Sequence, residues 1–166
     1  MAIIDAQHVF SQSQSLIATA PDTLESTNVY DLSAGASSPI AGAAQSRNLG
    51  VGETLYFHFL VMTGLVQAST NGTLDVQIVT SAAAALTTPT VHWYQRFTDG
   101  AGTFGDDLTT VGAQFTVPLS PDKTWLRYLG VIYVVTTQDT SAGAITVWMD
   151  RQAGVNTLYA SGLNFA

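Results

Sequence analysis

The sequence predicts an all-β protein, and three observations carry that reading. Apolar runs alternate with a period of two, turn signals recur at fairly regular spacing, and no stretch shows the 3.6-residue period of an amphipathic helix. Short strands separated by turns imply a sandwich or a barrel with negligible helix. With 166 residues, the chain fits one domain that buries roughly two-thirds of its unfolded surface.

In chain order, a weak strand signal lies around His8-Val9-Phe10, followed by the polar run Ser11–Ser15. Residues 1 to about 20 are a candidate N-terminal arm, with residues 1–10 as an edge strand being the competing reading. Pro21-Asp22 marks a turn, and Thr27–Leu32 alternates as a short strand. Ser33–Ser46 is rich in Gly, Ala and Ser without visible period and reads as a flexible loop. Thr54–Thr63 is the strongest strand: Leu55, Phe57, Phe59 and Val61 share one face, Tyr56, His58, Leu60 and Met62 the other. Two apolar faces imply a central strand or one covered by a partner.

Asn71-Gly72 is a hairpin signal. Beyond it, Leu74, Val76 and Ile78 alternate with Asp75 and Gln77. Ser81–Thr88 is Ala-rich, but Pro89 and β-branched flanks argue against a stable helix. Val91–Phe97 is a strand, and Asp99–Gly102 and Gly105–Asp107 read as turns. Gln114–Leu119 alternates, with Pro118 placing its end at an edge or bend. Trp125–Thr137 is the second dominant strand, and Ala144–Asp150 is expected to pair with it across a Thr140–Gly143 turn.

Composition excludes several function classes. Charged residues are 10% of the chain, with five Lys and Arg against twelve Asp and Glu, a net charge of −7. Scattered cations supply no basic stripe for a nucleic-acid backbone, so none is expected as a partner. The absence of Cys excludes disulfides, thiolate catalysis and Cys-based zinc sites. No signal peptide is visible at Met1–Asp5, and the apolar stretch Leu129–Val135 is too short for a bilayer span, so no membrane is expected.

Candidate chemistry is sparse. His8, His58 and His92 stand far apart with no metal-ligand spacing. Asp99, Asp106 and Asp107 form an acidic, glycine-bearing loop, a candidate ion site whose plainer reading is turn chemistry. Trp93, Trp125 and Trp148 could make a sugar-stacking platform, although strand aromatics more often fill a core. No nucleophile elbow or phosphate-cradling loop is present, so no enzyme activity and no cofactor are expected.

Several stretches, taken in order, resemble the Bbp16-like capsid cement proteins of tailed bacteriophages. They run from Phe10–Gln14 and Ser26–Leu32 through Asn48–Tyr56 and Thr73–Gln77 to Trp125–Leu129, Ala144–Val147, Tyr159 and Ser161-Gly162. The resemblance implies a jelly-roll-like antiparallel sandwich on the outside of the shell, clamping neighbouring major capsid proteins, without catalytic residues. Assembly would then occur in the host cytoplasm. A carbohydrate-binding or host-attachment module of a virion is the alternative. Strands with two apolar faces also imply self-association, a homodimer first and a homotrimer second. Ile3, Ile4, Val9 and Phe10 are the candidate capsid contacts, as anchors of the arm.

Overall fold

The computed structural model describes residues 8–32, 54–67, 72–98, 106–119 and 125–150. Its strands are β1 (Val9–Ser15), β2 (Asp22–Glu25), β3 (Tyr30–Asp31), β4 (Leu55–Gln67), β5 (Thr73–Ser81), β6 (Thr90–Thr98), β7 (Gln114–Leu119), β8 (Tyr128–Thr136) and β9 (Thr140–Asp150). A single helical turn, α1 (Asp106–Thr109), stands where the sequence suggested a plain turn.

Two antiparallel sheets result, ordered β1-β9-β4-β7 and β2-β8-β5-β6, with β3 also pairing β8. β2 lies along Ile132–Val135 and β3 along Tyr128–Leu129, so the two act as one interrupted edge strand. Counted that way, eight strands nest like a long hairpin: β1 with β9, β2 and β3 with β8, β4 with β7, β5 with β6. Rolled so that β9 also meets β4 and β8 also meets β5, this is the jelly-roll topology.

The expected pairing of β8 with β9 is therefore corrected. These strands belong to different sheets. Each carries an apolar row, Leu129, Val131, Tyr133 and Val135 on β8 and Ile145, Val147 and Met149 on β9, and the rows meet across the core. The true turn is Thr137–Asp139, with Thr137 at φ 76°, while Thr140–Gly143 belongs to β9. The Asn71-Gly72 signal likewise does not close a hairpin, because β4 and β5 lie in different sheets. Gly72 instead donates its N–H to Gln67 Oε1 at 2.8 Å.

The two dominant strands are central, as their double apolar faces imply: β4 lies between β9 and β7, and β8 between β2 and β5. Leu55, Phe57, Phe59 and Val61 face inward against Leu74, Val76 and Ile78 from the other sheet. Each such side chain contributes roughly 1.5–3 kcal/mol when fully buried.

The two sides of the sandwich are closed differently. Along β1 the closure is polar. Gln14 Oε1 accepts from Ser11 Oγ at 2.6 Å and from Thr27 N at 3.1 Å, and Gln14 Nε2 donates to Glu25 O at 2.7 Å. Asn28 adds N–H bonds to Phe10 O and Val9 O. Beneath this strap, Ser11 Oγ meets the buried Tyr133 hydroxyl at 2.9 Å. Along β6 and β7 the closure is aromatic: Phe115 stacks on Phe59 at 4.5 Å, and Trp93 and Phe97 lean on the pair.

A second, smaller cluster lies on the outer face of the β2-β8-β5-β6 sheet. There Leu86, from the Ala-rich loop, plugs Val79 and Ile132. The loop turns with Leu86 and Thr88 at φ 45° and 47°, a conformation that costs about 1–3 kcal/mol per residue. Gly130 makes room for the plug, since a Cβ there would come 2.6 Å from Leu86 Cδ1.

Two predictions follow from these contacts. Gly130→Ala should destabilise by about 1–3 kcal/mol through overpacking. Its cost should shrink in a Leu86→Ala background, as read by a double-mutant cycle of urea unfolding. Burial pushes the Tyr133 phenol well above its usual 10, against a smaller opposing effect from Ser11. The unfolded chain would ionise first, so stability present below pH 10 should fall as pH rises, by about 1.4 kcal/mol per unit until the folded phenol itself ionises. Tyr133→Phe should remove that component of the alkaline slope.

Candidate functional site

A catalytic or metal centre needs titratable groups brought together, and among the described residues the three histidines stand apart. The histidines occupy separate places. His8 stacks on Tyr30 at 5.8 Å, and His58 stacks on Trp148 at 5.1 Å. His92 lies 4.7 Å from Trp125. His58 Nδ1 is 3.0 Å from Thr116 Oγ1, and His92 Nε2 is 2.7 Å from Thr80 Oγ1. Among the described residues no group of three or more His, Asp or Glu is placed to hold a metal ion. Of the acidic-loop candidates, Asp99 lies outside the described residues, and only the backbone of Asp106 and Asp107 is described, opening α1.

Two carboxylates are tied to cations. Asp75, buried on the outer face of its sheet, takes a two-pronged contact from Arg96, 2.7 Å to Nε and 2.8 Å to Nη2. That hydrogen bond, with the carboxylate's charge, raises the Arg96 pKa above its ordinary value. Arg127, just ahead of β8, reaches Asp31 of β3 at 2.9 Å and is raised in the same direction, mainly by that hydrogen bond. These pairs neutralise cross-strand neighbours and leave no exposed reactive carboxylate between them.

The tryptophans form no common platform. Trp93 packs beside Phe59, Trp125 beside His92, and Trp148 is buried on His58.

What the surface does present is apolar. Six large apolar side chains are exposed among the described residues, and they fall in two places. Ile17, Met62, Val66 and Val111 gather round one end of the β1-β9-β4-β7 sheet. There Val66 pairs with Ala142, Leu16 N donates to Gly143 O, and Gly112 N donates to Val61 O. Val111 is 67% exposed and Ile17 58%. The second place is β6, with Val91 and Tyr94. Sequence reasoning missed the first patch. The available signal was Val111, an apolar residue in a tight turn between Thr110 and Gly112.

The N-terminal candidates divide. Ile3, Ile4 and the loop 33–46 lie outside the described residues. Val9–Ser15 is the edge strand β1, and Phe10 is 1% exposed and stacked on Phe57 at 5.2 Å. Its ring anchors the core and offers no face to a partner, so for these residues the edge strand replaces the arm. The polar run misled because β1 is an edge: Gln12, Ser13 and Ser15 face water.

The sequence model of the Bbp16 family matches residues 10–149. The chain belongs to the Bbp16 family. The matched span runs from Phe10, the first core residue of β1, to Met149, the last core residue of β9, and so takes in all nine strands but for their two outermost residues. A search of curated proteins finds no match.

Proposed function

We propose that this Bbp16-family chain is a cement protein of a tailed-phage head. It sits on the outer surface of the shell, bridges adjacent major capsid proteins, and carries neither catalytic residues nor a cofactor. Assembly takes place in the host cytoplasm. The observation that carries the reading is the family match across residues 10–149.

The surface chemistry supports it. Clamping a shell under internal pressure asks for broad contact with little desolvation cost, and neutral side chains supply that better than ions do. The patch of Ile17, Met62, Val66 and Val111 is the contact face we assign to the capsid, since its residues are exposed and hold up no part of the core. The net charge of −7 argues against a nucleic-acid role. A sugar-binding module would need an exposed aromatic platform, and the three tryptophans stand at different places, Trp148 buried on His58 and the half-buried Trp93 and Trp125 against Phe59 and His92.

Copy number tests the function. Quantitative gel analysis of purified virions should find the chain in stoichiometric proportion to the major capsid protein, and a few to tens of copies per particle would assign it to the tail instead. The contact face has its own test. Val66→Glu with Val111→Glu should leave unfolding stability within about 0.5 kcal/mol, as surface changes do. The same variant should weaken capsid binding at least tenfold, which is about 1.4 kcal/mol. Unchanged binding would move the contact elsewhere on the sandwich.

A further inference from the structure

We propose that β6 is a self-association edge, along which two copies of this chain pair antiparallel about a two-fold axis at Gln95. The proposal stands on the strand itself and does not depend on the cement reading.

β6 is nine residues long and terminates its sheet, and among the described residues no strand pairs with its outer side. Exposed edges are ordinarily guarded by proline, lysine, unpaired charge or a bulge, because their free N–H and C=O groups invite another strand. The other edges here are guarded. β1 and β2 are strapped together by Gln14, and β7 carries Pro118, which has no N–H to offer. β6 contains no proline, lysine or carboxylate. Its one ion, Arg96, is held by Asp75 of its own sheet. A single bulge at His92 is the only guard, and it leaves Trp93–Thr98 in regular register with β5.

The occupant follows from the sequence of the edge. Pairing about Gln95 sets Trp93 opposite Phe97 of the second copy, and Tyr94 opposite Arg96 of the second copy. The same contacts repeat across the axis. On the inner face this extends the aromatic closure that Trp93 and Phe97 already make with Phe115. On the outer face it sets each guanidinium beside a tyrosine ring, a pairing Arg96 already makes within one copy at 5.8 Å. An axis at Arg96 would oppose like charges, and one at Tyr94 would oppose Trp93 to Gln95 and lose the aromatic pairs. Charge also favours a second copy here. Two chains of net charge −7 repel, and they meet at least cost along a strand free of carboxylates.

The cysteine-free chain makes the test clean. Residues facing each other across an antiparallel pair have Cα atoms about 4.5–5.5 Å apart, within disulfide reach. Gln95→Cys should cross-link most of the protein into covalent dimers under mild oxidation, while Thr23→Cys on exposed β2 should not. Gln95→Lys should give monomers by light scattering with the circular dichroism spectrum unchanged. Mixing that variant with Gln95→Glu should restore dimers. Wild-type protein that stays monomeric at tens of micromolar would overturn the proposal. So would a dimer in which Gln95→Cys fails to cross-link, because its seam would lie elsewhere.

Discussion

Apolar contact between the two central strand pairs, β4 with β9 and β5 with β8, is what every other part of this molecule depends on. With five cations and no cysteine, the chain has no covalent staples and few charges to pair. Phe57, Phe59 and Val147 from one sheet must exclude water against Val76, Ile78 and Tyr133 from the other. That demand dictates the topology. Strands adjacent in sequence, such as β8 and β9, bring their apolar rows together by facing each other across the core instead of lying side by side. Polar groups then close the periphery. The Ser11, Gln14 and Tyr133 bonds seal one side, and Thr140 Oγ1, donating to Leu16 O, ties the entry of β9 to the segment after β1.

How much of this was legible follows from the chemistry of particular residues. The alternation in Leu55–Val61 and the β-branched run Val131–Val135 made the central strands plain, because inward and outward residues there differ in kind or are apolar throughout. Sheet partnership was not legible. A strand apolar on both faces fits several neighbours, and nothing local in Ala144–Asp150 distinguishes pairing with β8 from pairing with β4. The misplaced turn has a similar cause. Thr137, Gln138 and Asp139 make a real turn without glycine, whereas Gly143 looks like a turn residue but lies within β9 at φ 148° against Leu65. Leu86 was invisible for another reason: its anchor is Gly130, more than forty residues away in sequence.

Little of the candidate surface was legible in the sequence. His8, His58 and His92 are far apart in the chain and stay apart in the fold, with His58 and His92 bonded to Thr116 and Thr80. The positive features needed coordinates. Ile17, Val111 and the β4 pair Met62 and Val66 come from three segments, and only the fold of β4 and β9 around the α1–β7 turn gathers them. Phe10 shows the converse: it looked like an arm's anchor and is a core ring. Among the described residues, the exposed large apolar side chains lie at one end of the β1-β9-β4-β7 sheet and along the β6 edge.

The most direct test of a cementing role is mechanical. Heads assembled without this protein, mixed with the purified chain, should bind it saturably and then withstand heating to a higher temperature before releasing their DNA. Binding without any gain in the disruption temperature, or no binding to expanded heads at all, would contradict the account.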